Sequence, residues 1–107
     1  MKVIQRKDGA YAVLSENDEI IIQYGKYDWI DNYYLGYARV KHGKETNGNK
    51  HANVKWGIID ENGTEVVPAI YDDIHNFIGT NNSYVTICHE EMEFIFYFST
   101  KEFVRKL

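Results

Sequence analysis

Apolar and polar residues alternate in short runs along most of this chain, and Gly, Asn and Asp separate the runs. That is the pattern of half-buried β-strands joined by tight turns. The clearest hairpin runs from Val54 to Val67, with Trp56, Ile58 and Asp60 on one face of its first strand and Lys55, Gly57 and Ile59 on the other. Asp60-Glu61-Asn62-Gly63 supplies the turn, because Asn and Gly accept positive φ. Glu65-Val66-Val67 returns, and Pro68, with no N–H to donate, is expected to stop the ladder. Tyr11 to Ile22 has the same form, with Asp18 at the place of Gly63; Asp enters the left-handed region at some cost. Tyr37 to His42 and Tyr84 to His89 alternate with Ala38 and Val40, or Val85 and Ile87, inward, and with Arg39 and Thr86 outward. Lys2 to Arg6, closed by Lys7-Asp8-Gly9, and the hairpin from Phe94 through Ser99-Thr100-Lys101 to Arg105 complete the strand set.

The strands belong to a repeat. Tyr27-Asp28-Trp29-Ile30-Asp31-Asn32-Tyr33 returns 44 residues on as Tyr71-Asp72-Asp73-Ile74-His75-Asn76-Phe77, and the flanking hairpins return with it. A period of this size marks a stacked or radial architecture. The expectation is one all-β domain of about nine short antiparallel strands in three three-stranded units, 2–34, 36–78 and 83–106, with little helix. Phe94 is expected in the place of Trp56, 38 residues on. In the repeated joint the spacing of Tyr27, Ile30 and Tyr33, or Tyr71, Ile74 and Phe77, fits a turn of helix and equally a packed coil crossing. A closed barrel, an open solenoid and a propeller-like ring all remain open at this level. An open arrangement would leave edge strands at Val3 and Val104, for which a homodimer is one cover.

The stretch from Lys55 to Ile74 resembles one full copy of the WG repeat, a bacterial motif, through Trp56, Gly57, Asp60, Gly63, Pro68, Tyr71 and Asp72. Tyr11-Ala12 and Phe94-Ile95 replace Trp-Gly in the flanking units, which therefore resemble degenerate copies suited to capping. The resemblance implies a β-rich, non-catalytic module with a protein-interaction role, and it brings no catalytic residues with it. The residues that carry it also read as scaffold: Trp56 as an anchor between units, Gly57 as a point of close backbone approach or a bulge, and Asp72, with its twin Asp28, as a local cap.

Composition narrows the function classes. With 107 residues the chain can remove roughly 65% of its extended-chain surface from water in one domain. The lone Cys88 rules out an internal disulfide, and the charged opening Met1 to Asp8 does not read as a signal segment, so a cytoplasmic location is expected. No run approaches the roughly 18 apolar residues of a membrane span. The net charge of −4 speaks against nucleic acid. Its distribution is uneven, since Lys41, Lys44, Lys50 and Lys55 face only Glu45 between positions 41 and 55. No cofactor or metal is expected: His42, His51, His75 and His89 lack paired ligand spacing, and Cys88 and His89 point to opposite strand faces, too far apart to act as a nucleophile and its base. No other catalytic arrangement stands out, and an enzyme is not expected.

Candidate binding residues come from where the copies differ. Trp29 aligns with Asp73, which marks it as solvent-facing, and Asp28, Asp31, Tyr33, Tyr34 and the inserted loop 43–53 with Lys44, Lys50 and His51 surround it. Exposed Trp and Tyr are common anchors for a protein partner. An acidic body beside a lysine loop fits a small immunity or inhibitor protein that masks a basic toxin or enzyme. The alternative is a carbohydrate- or small-ligand-binding module that stacks sugars on the tyrosines.

Overall fold

Turn chemistry sets the hairpins. A computed structural model describes residues 1–43, 54–77 and 84–106. In its central hairpin Asp60 Oδ1 accepts the N–H groups of Asn62 and Thr64 at 2.9 and 3.0 Å, and Gly63 follows at φ 80°. In the first hairpin Ser15 Oγ does the same for Asn17 and Glu19 at 3.2 and 3.1 Å, and Asp18 takes the left-handed position at φ 63°. Gly63 has a second reason to be glycine: a Cβ there would lie 2.8 Å from Ile22 Cδ1 and 3.1 Å from Ile21 Cγ2, across to the neighbouring sheet.

Among the described residues there are eleven short antiparallel strands and no helix. β1 (Lys2–Gln5), β2 (Tyr11–Leu14) and β3 (Ile20–Ile22) form the first sheet. β4 (Trp29–Ile30), β5 (Ala38–His42), β6 (Lys55–Ile59) and β7 (Glu65–Tyr71) form the second. β8 (Asp73–Ile74), β9 (Tyr84–His89), β10 (Met92–Tyr97) and β11 (Phe103–Lys106) form the third. None of the three sheets closes into a barrel, and the body measures 41 × 37 × 21 Å. No helix in the described residues is long and apolar enough to cross a membrane.

The two strands beyond the expected nine are the repeated joint itself. It is neither helix nor coil: Trp29 and Ile30 pair with Lys41 and Val40, and Asp73 and Ile74 pair with Cys88 and Ile87. Each joint thus leaves one sheet and becomes the edge strand of the next. Its backbone is tied identically in both copies, Asp28 N–H to Lys41 O and Asp31 N–H to Arg39 O at 2.8 and 2.9 Å, and Asp72 N–H to Cys88 O and His75 N–H to Thr86 O at 2.9 and 3.0 Å. Asp28 and Asp72 do act as caps, although not local ones. Their carboxylates accept the N–H of Gly43 and Glu90, 15 and 18 residues away, at the far end of the strand they pair with.

Two expectations about strand detail are corrected by register. Pro68 does not end its strand, because β7 runs on to Tyr71 through an irregularity in which Trp56 pairs with Tyr71 but Ile58 with Val67. Gly57 makes that possible: a Cβ on it would sit 2.7 Å from Val67 O and 2.8 Å from Ala69 backbone atoms, so only glycine lets the bulged strand cross so closely. Phe94 is not the counterpart of Trp56. Ile30, Val40 and Gly57 form one cross-strand row and Ile74, Ile87 and Phe94 the matching one, which leaves Glu93 at the Trp56 place.

The cores lie at the two junctions. Between the first and second sheets Val13, Ile22, Tyr27, Ile30, Ala38, Val40 and Ile59 are buried together. Between the second and third, the core is built from Ile58, Val67, Ile74, Val85 and Ile87 with Tyr37, Tyr71, Phe77, Phe96 and Phe98. The middle sheet is consequently packed on both faces. Arg39, expected outward, does lie opposite Ala38 and Val40, but that face is covered by the third sheet.

Candidate functional site

The residues that pairing brings together across the middle sheet are Trp29, Lys41, Trp56 and Tyr71, one per strand from β4 to β7. The Lys41 ammonium lies 4.6 Å from the Trp29 ring centre and 4.8 Å from that of Trp56. The two indoles meet edge to face at 5.7 Å. Arg39, one place along the same face of β5, sits 5.5 and 5.2 Å from the same rings. An indole face attracts cations through its quadrupole, by roughly 0.5–2 kcal/mol according to how dry the contact is.

Arg39 holds this group to the rest of the fold. Its Nε and Nη2 lie 2.9 Å from Asp31 Oδ2, its Nη1 donates to Ile74 O at 2.9 Å on the third sheet, and its side chain is 11% exposed. No signal in the strand pattern singled it out. A polar residue on the alternate face reads as solvated unless the neighbouring sheet is already known. Lys41 differs from it, for it has no carboxylate within ion-pair distance among the described residues.

The expected binding residues divide accordingly. Trp29 is half-buried against Trp56 and the two cations rather than fully exposed. Asp31 is spent on Arg39 and Asp28 on the Gly43 N–H. Tyr33 donates its hydroxyl to Asp60 O at 2.7 Å, and Tyr34 packs against the second core and pairs with Tyr37 across a turn. Lys44, Lys50, His51 and the rest of 44–53 lie outside the described residues.

Other chemistry is sparse. Cys88 Sγ lies 3.9 Å from Nε2 of His75, not His89, a pairing that only the β8–β9 register reveals. Burial, then the carboxylates of Asp73, Glu93 and Asp72, push its thiol above the ordinary range, which disfavours the reactive thiolate. Asp72 is held below the usual carboxylate range by the Glu90 N–H and then by Lys55, which lies 3.3 Å away. His89 rests edge-on against Tyr71 at 5.4 Å, and His42 lies 4.8 Å from Tyr27, so these strand-end histidines are packing partners of the joint tyrosines. Among the described residues no three His, Cys, Asp or Glu side chains are grouped to hold a metal ion.

No curated protein and no solved structure matches the chain. The model of the WG containing repeat matches residues 11–45 and 56–86. The matches begin in β2 and in β6, and each runs through the joint into a strand of the next sheet, so the unit of sequence straddles two units of structure. On these two matches, which take in the joint and the Trp56-Gly57 pair, the chain belongs to the WG containing repeat family.

Proposed function

We propose that this protein is a non-enzymatic protein-binding module whose contact surface centres on the Trp29–Lys41–Trp56 row. One observation carries this reading. Lys41 is a cation held between two half-buried indoles without a carboxylate of its own among the described residues, beside the inserted loop. Aromatic side chains with a flanking cation are the residue types in which binding energy concentrates. Both indoles lie beneath Lys41 and Arg39 rather than offering bare faces, so the row gives sugar stacking no particular support.

The finer form of the proposal is a small inhibitor or immunity protein that masks a basic partner. The net charge of −4 supports it, since long-range attraction follows the total charge whereas docking follows the local groups. At contact, the row fits an acidic or aromatic spot on such a partner. Trp29→Ala and Lys41→Glu test this. A partner co-purified with the wild-type chain and then bound as purified protein should lose about tenfold or more in affinity to each variant, with melting temperature little changed. Undiminished binding by both folded variants would sink the proposal.

A further inference from the structure

Among the described residues the second and third sheets have four strands and the first has three. The place that no described strand fills is specific. In the complete sheets the joint strand lies against the outer edge of β5 or β9, and by register β1 is their counterpart, with Ile4 opposite Ala12 as Val40 is opposite Gly57. Arg6 N–H bonds Ala10 O at 2.9 Å, so alternation turns Lys2, Ile4 and Arg6 toward β2 and leaves the backbone groups of Val3 and Gln5 pointing to the open edge. Val3 O and Gln5 O stand where Arg39 O and Lys41 O receive the joint. Lys7 stands where Gly43 and Glu90 give their N–H to the joint aspartate.

The remaining outer strands are protected in the ways edges usually are. β4 and β8 have two residues each, β3 has three, β7 carries Pro68 and a bulge, and β11 exposes Arg105 and Lys106. β1 has four residues in unbroken register with β2, and no proline.

We propose that the outer edge of β1 docks an extended segment of a partner protein with the pattern aromatic-Asp-x-aliphatic, entering antiparallel to β1. The molecule itself defines that pattern, because Tyr27-Asp28-Trp29-Ile30 and Tyr71-Asp72-Asp73-Ile74 fill the same place twice. Main-chain bonds to Val3 and Gln5 supply affinity, and the aspartate, seated at the Lys7 N–H beside a lysine side chain, sets register and direction. This surface is separate from the Trp29 row, and neither proposal depends on the other.

The probe is a synthetic peptide of residues 69–76, titrated into the intact chain and followed by backbone amide NMR and calorimetry. Saturable binding at roughly micromolar to millimolar concentration is expected, with amide shifts centred on Val3, Gln5 and Lys7. Gln5→Pro removes an outward N–H without touching the β1–β2 ladder, and it should weaken binding by about tenfold with little change in melting temperature. Should Gln5→Pro fail to fold, N-methylation of the peptide amide equivalent to Asp72 N–H removes the bond to Gln5 O from the ligand side and should have a similar effect. No shift at millimolar peptide, shifts equally strong along β7 or β11, or unchanged affinity after N-methylation would overturn the proposal. So would a concentration-dependent dimer of the free chain that Gln5→Pro abolishes, since the occupant would then be a second copy.

Discussion

The two junctions between sheets are made by the same joint and filled in different ways. In the first, aliphatic side chains form the centre and two tyrosines carry their hydroxyls to polar partners, Tyr27 to Glu65 Oε2 at 2.6 Å and Tyr33 to Asp60 O at 2.7 Å. In the second, Ile74, Val85 and Ile87 keep the aliphatic places of Ile30, Ala38 and Val40, while phenyl rings take the places of Tyr33 and Glu65. Phe77 replaces Tyr33 and meets Phe98 edge to face at 5.0 Å, and Phe103 replaces Glu65 and meets Tyr71 at 5.4 Å. A phenol hydroxyl gains from a polar acceptor and a phenyl from a ring edge, so the same places are satisfied differently in the two junctions. The backbone bonds of the joint stay the same throughout. The repeat therefore keeps its main-chain geometry while the side chains between sheets vary.

The sharpest test of that contrast compares Ile59 and Phe96, register counterparts that are both 0% exposed, one in each junction. Phe96→Ala should cost about 3–5 kcal/mol and Ile59→Ala about 2–4 kcal/mol in denaturant unfolding. A larger loss at Ile59 would make the aliphatic junction the main source of stability.

Gly57 and Phe94 are also counterparts, and there the contrast is one of space. Gly57→Ala drives a methyl into the β7 backbone, which cannot yield as a side chain could, and should cost about 1–3 kcal/mol. Phe94→Ala instead opens a partly buried gap in the aromatic junction and leaves the backbone of the third sheet in place. If Gly57→Ala proved neutral, the close crossing of β6 and β7 would not be what requires glycine.

The smallest expected effect separates the hydroxyls. Tyr27→Phe should cost about 1 kcal/mol, and Tyr71→Phe less, because the Tyr71 hydroxyl has no partner among the described residues. Burial, and then the Glu65 bond, push the Tyr27 phenol above its usual value of 10.0; burial, then Asp60 and Glu61, do the same for Tyr33. A phenol raised in the folded state contributes stability that is complete below the unfolded value and is lost as pH rises through the folded one. Stability should thus decline above about pH 10, and Tyr27→Phe should flatten that decline. A decline unchanged in Tyr27→Phe would place the loss elsewhere.

Much of this was legible in the chain. Period-two alternation located nine strands, the Asp18 and Gly63 turns formed as expected, and Gly57 does mark a bulge. The joint was recognised as a link between units, yet its extended form was not. Two-residue strands carry no periodicity of their own, and Trp29 and Ile30 are strand only because β5 lies alongside. Phe94 was set one place out of register, because the hairpin turn at Glu90 and Glu91 replaces the loop of the middle unit and nothing local reveals the difference.

Sequence alone determined the strands, the turns and the repeat, since these depend on side-chain alternation and on which residues accept positive φ over a few neighbouring positions. Only the tertiary structure decided which faces are covered. A middle sheet packed on both sides turns Arg39 from a surface charge into a part-buried tie between sheets and brings Trp29, Lys41 and Trp56 into one row. A one-residue slip sends a side chain to the opposite face, so the row exists only once the pairing of β4 through β7 is set.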